Sequence, residues 1–274
     1  MSSFVEVAPG VHVLRHPVLD VNVTLIVGSA AAMVVDTLST EAQARDLVTA
    51  IRQVTHSPLT AVNTHAHFDH CFGNAVLAET SPGLTIRAHP ATVAAFGDDG
   101  TTLRRAAYEE ARSLGLEIAD QVATTELRAP DELVTGPSTV DLGDRTVVLH
   151  HFGRGHTAGD LVVHVPDASV VAAGDLVEEG GPPSFSDSYP LDWPEALGSV
   201  LALDPSVVVP GHGAIVDAAY VARQRAELSE LEWLIRDGDR DGAAEEAVAG
   251  AAPFPRAAAL VAVRRGYAAL SGRG

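Results

Sequence analysis

Apolar residues open the chain in short, β-branched stretches broken by turn signals. Residues 4–7, 11–15, 21–27 and 31–36 are separated by Pro9-Gly10, His16-Pro17 and Gly28-Ser29, a pattern that predicts a meander of strands. Ser39-Thr40-Glu41 then opens a segment with Ala44, Leu47, Val48 and Ile51 at helical spacing. Residues 59–63 read as a short buried strand, 71–79 as a helix and 84–88 as a further strand. From 90 to about 130 the strand signal stops. Leu103, Ala106, Ala107, Ala111 and Leu114 mark a helical insertion laid over a sheet protein, either a lid or an ordinary packing helix. Strands return at 138–142, 146–152, 160–165, 169–173 and 206–209, and the chain closes with helices at 220–236, 242–248 and 256–270.

Two separate strand-forming blocks with helices around them predict an α/β protein, two mixed sheets packed face to face with helices outside. Residues 1–216 would form the main unit and 217–274 a helical end packed on it. The charge adds a constraint on partners. The net charge is −18, from 36 acidic residues against 18 basic ones, and every base is arginine. Such a field repels a phosphate backbone, so nucleic acid is not an expected partner. The adjacent pairs Arg104-Arg105 and Arg264-Arg265 read as solvated helix faces. The one cysteine, Cys71, forbids an internal disulfide and reads as a small inward-packed residue. The N-terminus, MSSFVEVAPGVHVLRH, lacks the basic and apolar regions of a secretory signal. The apolar run 23–35 is too short to span a bilayer and is broken at Gly28-Ser29. The expectation is a cytoplasmic protein acting on a small molecule, with no membrane partner.

Chemistry concentrates in Thr64-His-Ala-His-Phe-Asp-His70, at the end of the strand 59–63. In extended chain, residues two apart point the same way, so His65 and His67 can reach one ion together. Asp69 and His70 are neighbours and diverge, which suggests a second ion beside the first. Further donors stand in glycine-containing turns after later strands: His156 in Gly153-Arg-Gly-His-Thr-Ala-Gly159, Asp175 in Ala173-Gly-Asp175, and His212 in Pro210-Gly-His-Gly213.

These motifs, in this order, resemble the metallo-β-lactamase superfamily over roughly residues 4–216. The resemblance implies a four-layer αβ/βα sandwich with metals at one edge. It implies one ion on His65, His67 and His156, a second on Asp69, His70 and His212, and Asp175 bridging them. Two divalent ions are expected, zinc first, with iron or manganese compatible with the same nitrogen and oxygen donors. Asp36 and Thr157 match positions that support such a site from behind the ligands.

The implied chemistry is hydrolysis, with Asp69 and Asp175 as catalytic carboxylates and water activated by the paired ions. Where true β-lactamases resemble one another in a Cys or Ser, this chain has Asp175, as in glyoxalase II and lactonase branches. With no lysine and a short helical end, an anionic glutathione thioester is not the expected substrate. A neutral or apolar lactone, ester or thioester is expected instead, against a wall formed by Phe185, Tyr189 and Trp193. The alternatives are a mononuclear iron dioxygenase of the persulfide type on the same fold, and a β-lactamase.

Overall fold

The structure, a computed structural model, describes residues 2–97 and 99–272. The first block builds β1 (Val5–Ala8), β2 (Val11–His16), β3 (Val21–Val27) and β4 (Ala32–Val35), then α1 (Glu41–Val54) and β5 (Leu59–Val62). The Thr40 hydroxyl caps α1 by accepting from Gln43 N–H, the start that Ser39-Thr40-Glu41 predicts. After α2 (Phe68–Cys71), α3 (Asn74–Thr80) and β6 (Ile86–Ala88), the insertion folds as α4 (Pro90–Phe96), α5 (Thr101–Ser113) and α6 (Ala119–Thr124). The second block comprises β7 (Glu132–Leu133), β8 (Ser138–Asp141), β9 (Thr146–His150), β10 (Val162–Val165) and β11 (Val170–Glu178). It continues through α7 (Trp193–Leu201), β12 (Val207–His212), α8 (Ala218–Asp241), α9 (Glu245–Ala251) and α10 (Arg256–Leu270).

Among the described residues the strands form one curled mixed sheet in the order β7-β6-β5-β4-β3-β12-β11-β10-β9-β8, with β2 and β1 branching from β3. The expected two sheets are therefore two halves, joined where β12 meets β3 at the single pair His212–Val21. Strand alternation sorts the side chains into layers. In β4, Ala32 and Val34 face α1 and α3. Met33 and Val35 face inward, where Val163 and Val165 of β10 and Val170 and Ala172 of β11 meet them from the other half. On the far face Val171 and Ala173 pack with α7, α8 and α10 through Leu197, Val200, Leu228, Leu231 and Val263. The C-terminal helices thus share a core with β11.

Sequence periodicity locates most elements but leaves α7 and β7 unassigned. Helix α7 starts with Pro194 in its first turn and buries Ala196, Leu197 and Val200 on one side. The two-residue β7 is too short to carry a pattern. The insertion is anchored, since Ala107 and Ala111 of α5 and Val122 of α6 pack on Phe68 and Phe72 beside the histidine motif.

Candidate metal centre

The histidine motif is not extended as its spacing suggests. His65 lies in a bend after β5 and His67, itself extended, immediately precedes α2, whereas Asp69 and His70 sit on the single turn of α2. Consecutive helical residues diverge by about 100° around the axis, so Asp69 and His70 still part from the first pair. Asp175 also departs from expectation: it lies inside β11, not after it. The pairing of β11 with β12 is irregular on both sides of Gly174, whose φ is +53°. That bulge aims Asp175 at the histidines. His212 is the last residue of β12, and the glycine before it is obligatory. A Cβ at Gly211 would stand 1.7 Å from Asp175 Oδ1.

The side chains converge in two groups, His65, His67, His156 and Asp175, and Asp69, His70 and His212. In the first group His67 Nδ1 lies 3.1 Å from His65 Nε2 and 2.9 Å from His156 Nε2. In the second, His212 Nε2 is 3.3 Å from both His70 Nε2 and Asp69 Oδ2. Asp175 spans them: Oδ2 is 3.6, 3.4 and 3.3 Å from Nε2 of His65, His156 and His212, while Oδ1 is 3.2 Å from His70 Nε2. Donors held roughly 2.0–2.2 Å from a tetrahedral ion stand roughly 3.3–3.6 Å apart; the separations of 3.3–3.6 Å match that spacing, and those of 2.9–3.2 Å are slightly closer. Asp175 Oδ1 is buried with no hydrogen-bond partner among the described residues, which fits a carboxylate reserved for a cation.

Behind the converging atoms, the other nitrogen of four of the five rings meets an oxygen within hydrogen-bond distance. His70 Nδ1 bonds Asp36 Oδ2 at 2.9 Å, His65 Nδ1 contacts Thr64 Oγ1 at 3.0 Å, and His212 Nδ1 bonds the Leu19 carbonyl at 2.8 Å. His156 Nδ1 has no hydrogen-bond partner among the described residues, with Glu178 Oε1 3.6 Å away, whereas His67 Nε2 bonds Asp187 Oδ2 at 3.1 Å. Such partners fix the tautomer, leaving a lone pair on the inward nitrogen. Asp36 also accepts from the Thr64 N–H and hydroxyl, each at 2.8 Å, and holds a left-handed φ of +68°. Thr157 acts one step away: its N–H and hydroxyl bond Asp160, which closes the His156 turn.

For the metal-free side chains, burial dominates at two rings. It pushes His65 well below the ordinary imidazole range, aided by the charge of His70, and takes His156 down to about 4. Burial opposes charge on His67 and His212 as well, but carboxylates outweigh it there. Asp187 raises His67 to about 9, and Asp175 raises His212 to about 10.

The expected aromatic wall is corrected in two of its three members. Trp193 is fully buried, donating its indole N–H to the Leu176 carbonyl and packing edge-on against His156. Phe185 is buried between Trp193 and Phe254. Both are core residues because α7 and the C-terminal helices cover them. Tyr189 does line a cavity of about 460 Å³ beside His67, whose apolar wall comes from Phe68 and from Ala91, Ala95, Leu103, Ala106 and Ala107 of the insertion. Sequence reasoning missed Asp187, Glu178 and the Leu19 carbonyl. None stands in a motif, and each reaches its histidine only through the fold.

Fold and donors together define an αβ/βα protein with nitrogen and oxygen donors able to hold metal at one edge of its curled sheet. Residues 16–212 match the family model described as the Metallo-beta-lactamase superfamily, and the chain belongs to that superfamily. It is 27% identical over 159 residues to a metallo-beta-lactamase type 2 of Bacillus cereus, covering 56% of this chain and 51% of that protein. A type 2 enzyme of Bacillus sp. (strain 170) is 26% identical over the same share. The chain thus spans about half the length of the curated relatives it matches. Among solved structures, a metallo-beta-lactamase from Pontibacter korlensis superposes with a TM-score of 0.65 at 18% identity, over 84% of this chain and 99% of that one. A stereoselective inverting sec-alkylsulfatase from Pseudomonas sp. gives a TM-score of 0.75 at 16% identity, over 98% of this chain and 50% of that one. At these identities the structural likeness shows the fold alone.

Proposed function

We propose that the chain is a binuclear metal-dependent hydrolase that cleaves an ester-like bond, a lactone, ester or thioester, in a small neutral or apolar substrate. The observation that carries the binuclear reading is Asp175, whose two oxygens approach histidines of both groups. His65, His67 and His156 would hold one ion and Asp69, His70 and His212 the other, with zinc favoured and iron or manganese compatible with the same donors. When bound, paired ions bring the pKa of water to about 7 and polarise a carbonyl oxygen. Asp69 engages His70 and His212 through Oδ2, leaving Oδ1 to take the proton of the attacking water and pass it to the leaving group. Asp175 fixes the separation of the two ligand groups.

The alanine-lined cavity beside His67 supports an apolar acyl or alkyl group on the substrate. The reading takes residues 1–216 as the catalytic unit, with 217–274 packed on it, and a cytoplasmic setting without nucleic acid. No helix of the described residues is long and apolar enough to cross a membrane. A β-lactamase is the second reading, favoured by the type 2 relatives and opposed by Asp175 standing where that resemblance expects Cys or Ser. Elemental analysis of protein purified without added metal, followed by a panel of lactones, thioesters, aryl esters and β-lactams, tests both. Two ions per chain and turnover of an ester-like substrate, abolished by His65→Ala, are expected. One iron per chain with oxygen uptake would establish the dioxygenase alternative, and preferential β-lactam turnover would establish the second reading.

A further inference from the structure

Arg265 was expected on a solvated face of the last helix. It points inward instead, while its neighbour Arg264 pairs with Glu245 at the surface at 2.9 Å. The Arg265 guanidinium donates to three consecutive carbonyls: to Ser186 at 3.2 Å through Nη1, to Asp187 at 2.9 Å through Nη2, and to Ser188 through Nε. Residues 179–192, which include these carbonyls, form no helix or strand, so their conformation is set by contacts of this kind.

The same stretch carries Asp187, whose carboxylate holds His67 Nε2. That side chain is 52% exposed, so packing does not fix its direction and its backbone must. Two residues on, the Tyr189 N–H donates to the Gly155 carbonyl at 2.7 Å, next to His156. The guanidinium groups of Arg154 and Arg265 stand 4.4 and 5.7 Å from the centre of the Tyr189 ring. The base under this arrangement is firm. Ala259, Ala262 and Val263 of α10 are fully buried, and a Cβ at Gly266 would stand 2.5 Å from Ile235 of α8.

We infer that Arg265 is a positioning residue for the metal centre: from the C-terminal helix, outside the matched residues 16–212, it holds the 186–188 backbone so that Asp187 orients His67. A planar guanidinium has the donors to satisfy three carbonyls at once, and an ammonium group does not match that geometry. The inference rests on the reading of His65, His67 and His156 as ligands of one ion. Its effect is selective, since Asp36 and the Leu19 carbonyl orient His70 and His212 independently of this loop.

The test is zinc competition with a chromophoric chelator on the unsubstituted full chain, Arg265→Gln, Arg265→Lys, Asp187→Asn and the Arg265→Gln/Asp187→Asn pair, with thermal melts alongside. The same titration of Arg265→Gln in a His212→Ala background isolates the first ion. Loss of an outer partner of a ligand typically costs about tenfold or more in metal affinity. The expected result is a loss of that size for one ion in Arg265→Gln and in Asp187→Asn, no further loss in the double variant, and partial recovery in Arg265→Lys. Should Arg265→Gln fail to fold, Arg265→Lys against Asp187→Asn decides the matter: unchanged affinity with Lys overturns the inference. Equal affinity in folded Arg265→Gln, or losses that multiply in the double variant, would also overturn it while leaving the binuclear reading standing. Absence of zinc uptake by the unsubstituted chain would overturn that reading, and the inference with it.

Discussion

Replacing Asp36 by Asn changes one atom of the centre's support and should cost either one ion or stability. Asp36 is buried; Oδ1 accepts the Thr64 N–H at 2.8 Å, and Oδ2 accepts both the Thr64 hydroxyl at 2.8 Å and His70 Nδ1 at 2.9 Å. With Oδ1 retained on Thr64 N–H, the new amide NH₂ faces His70 Nδ1 and can only donate. His70 must then accept at Nδ1 and carry its proton on Nε2, the nitrogen an ion needs. The flipped amide would oppose Thr64 N–H instead, leaving a buried donor unsatisfied at a cost of about 1–3 kcal/mol. In the first orientation the second ion loses a ligand's correct tautomer, a change worth about 10–100-fold in affinity, or about 1.4–2.7 kcal/mol; in the flipped one the tautomer survives and the cost falls on stability, which the melts read. Backbone strain does not confound the result. Asn tolerates the left-handed φ of +68° that Asp36 adopts, whereas Ala would add about 1–2 kcal/mol of strain. Zinc competition titration, with melts recorded with and without chelator, measures the effect. If Asp36→Asn held both ions as tightly as the unsubstituted chain and melted with it, the tautomer argument would be refuted.

Gly211→Ala should disturb the bridge directly, because its Cβ would stand 1.7 Å from Asp175 Oδ1; loss of one bound ion by elemental analysis is expected, and retention of both would contradict the assigned bridge. Metal loading should release protons at neutral pH. The metal-free His67 and His212 titrate at about 9 and about 10, so both are charged at pH 7 and must become neutral to bind, and affinity should rise with pH up to those values. Calorimetry in buffers of different ionisation heat reads the protons, and none released would count against both ring assignments. Ala106→Phe should fill the cavity beside His67 and raise KM for substrates with bulky apolar groups more than for small ones; an equal effect on both would separate that cavity from substrate binding.

The two strand-forming halves of this fold were legible in the chain because strand-forming runs are a local property and fall in two separate blocks. The Ala32 to Val35 run carries its two faces in its own order, whichever partner covers them. The candidate donors that the fold brings together were legible because a metal centre would need unusual residue types in short motifs, and five histidines and two aspartates stand in four of them. Aromatic residues carry no such mark. Phe185, Tyr189 and Trp193 look alike in sequence, yet only Tyr189 reaches a cavity, since the other two are covered by helices more distant in the chain.

Behind the ligands Asp36 was legible through the resemblance, but the partners of His67 and His212 were decided by tertiary structure alone. Asp187 is 120 residues from His67 and Arg265 a further 78 beyond Asp187. Their relation appears only when a loop with no pattern of its own is folded between α10 and the histidine bend. Sequence thus determined which atoms can bind metal. The fold determined which way they point, because a hydrogen bond depends on where two groups meet in space and leaves no trace of its partner in either segment.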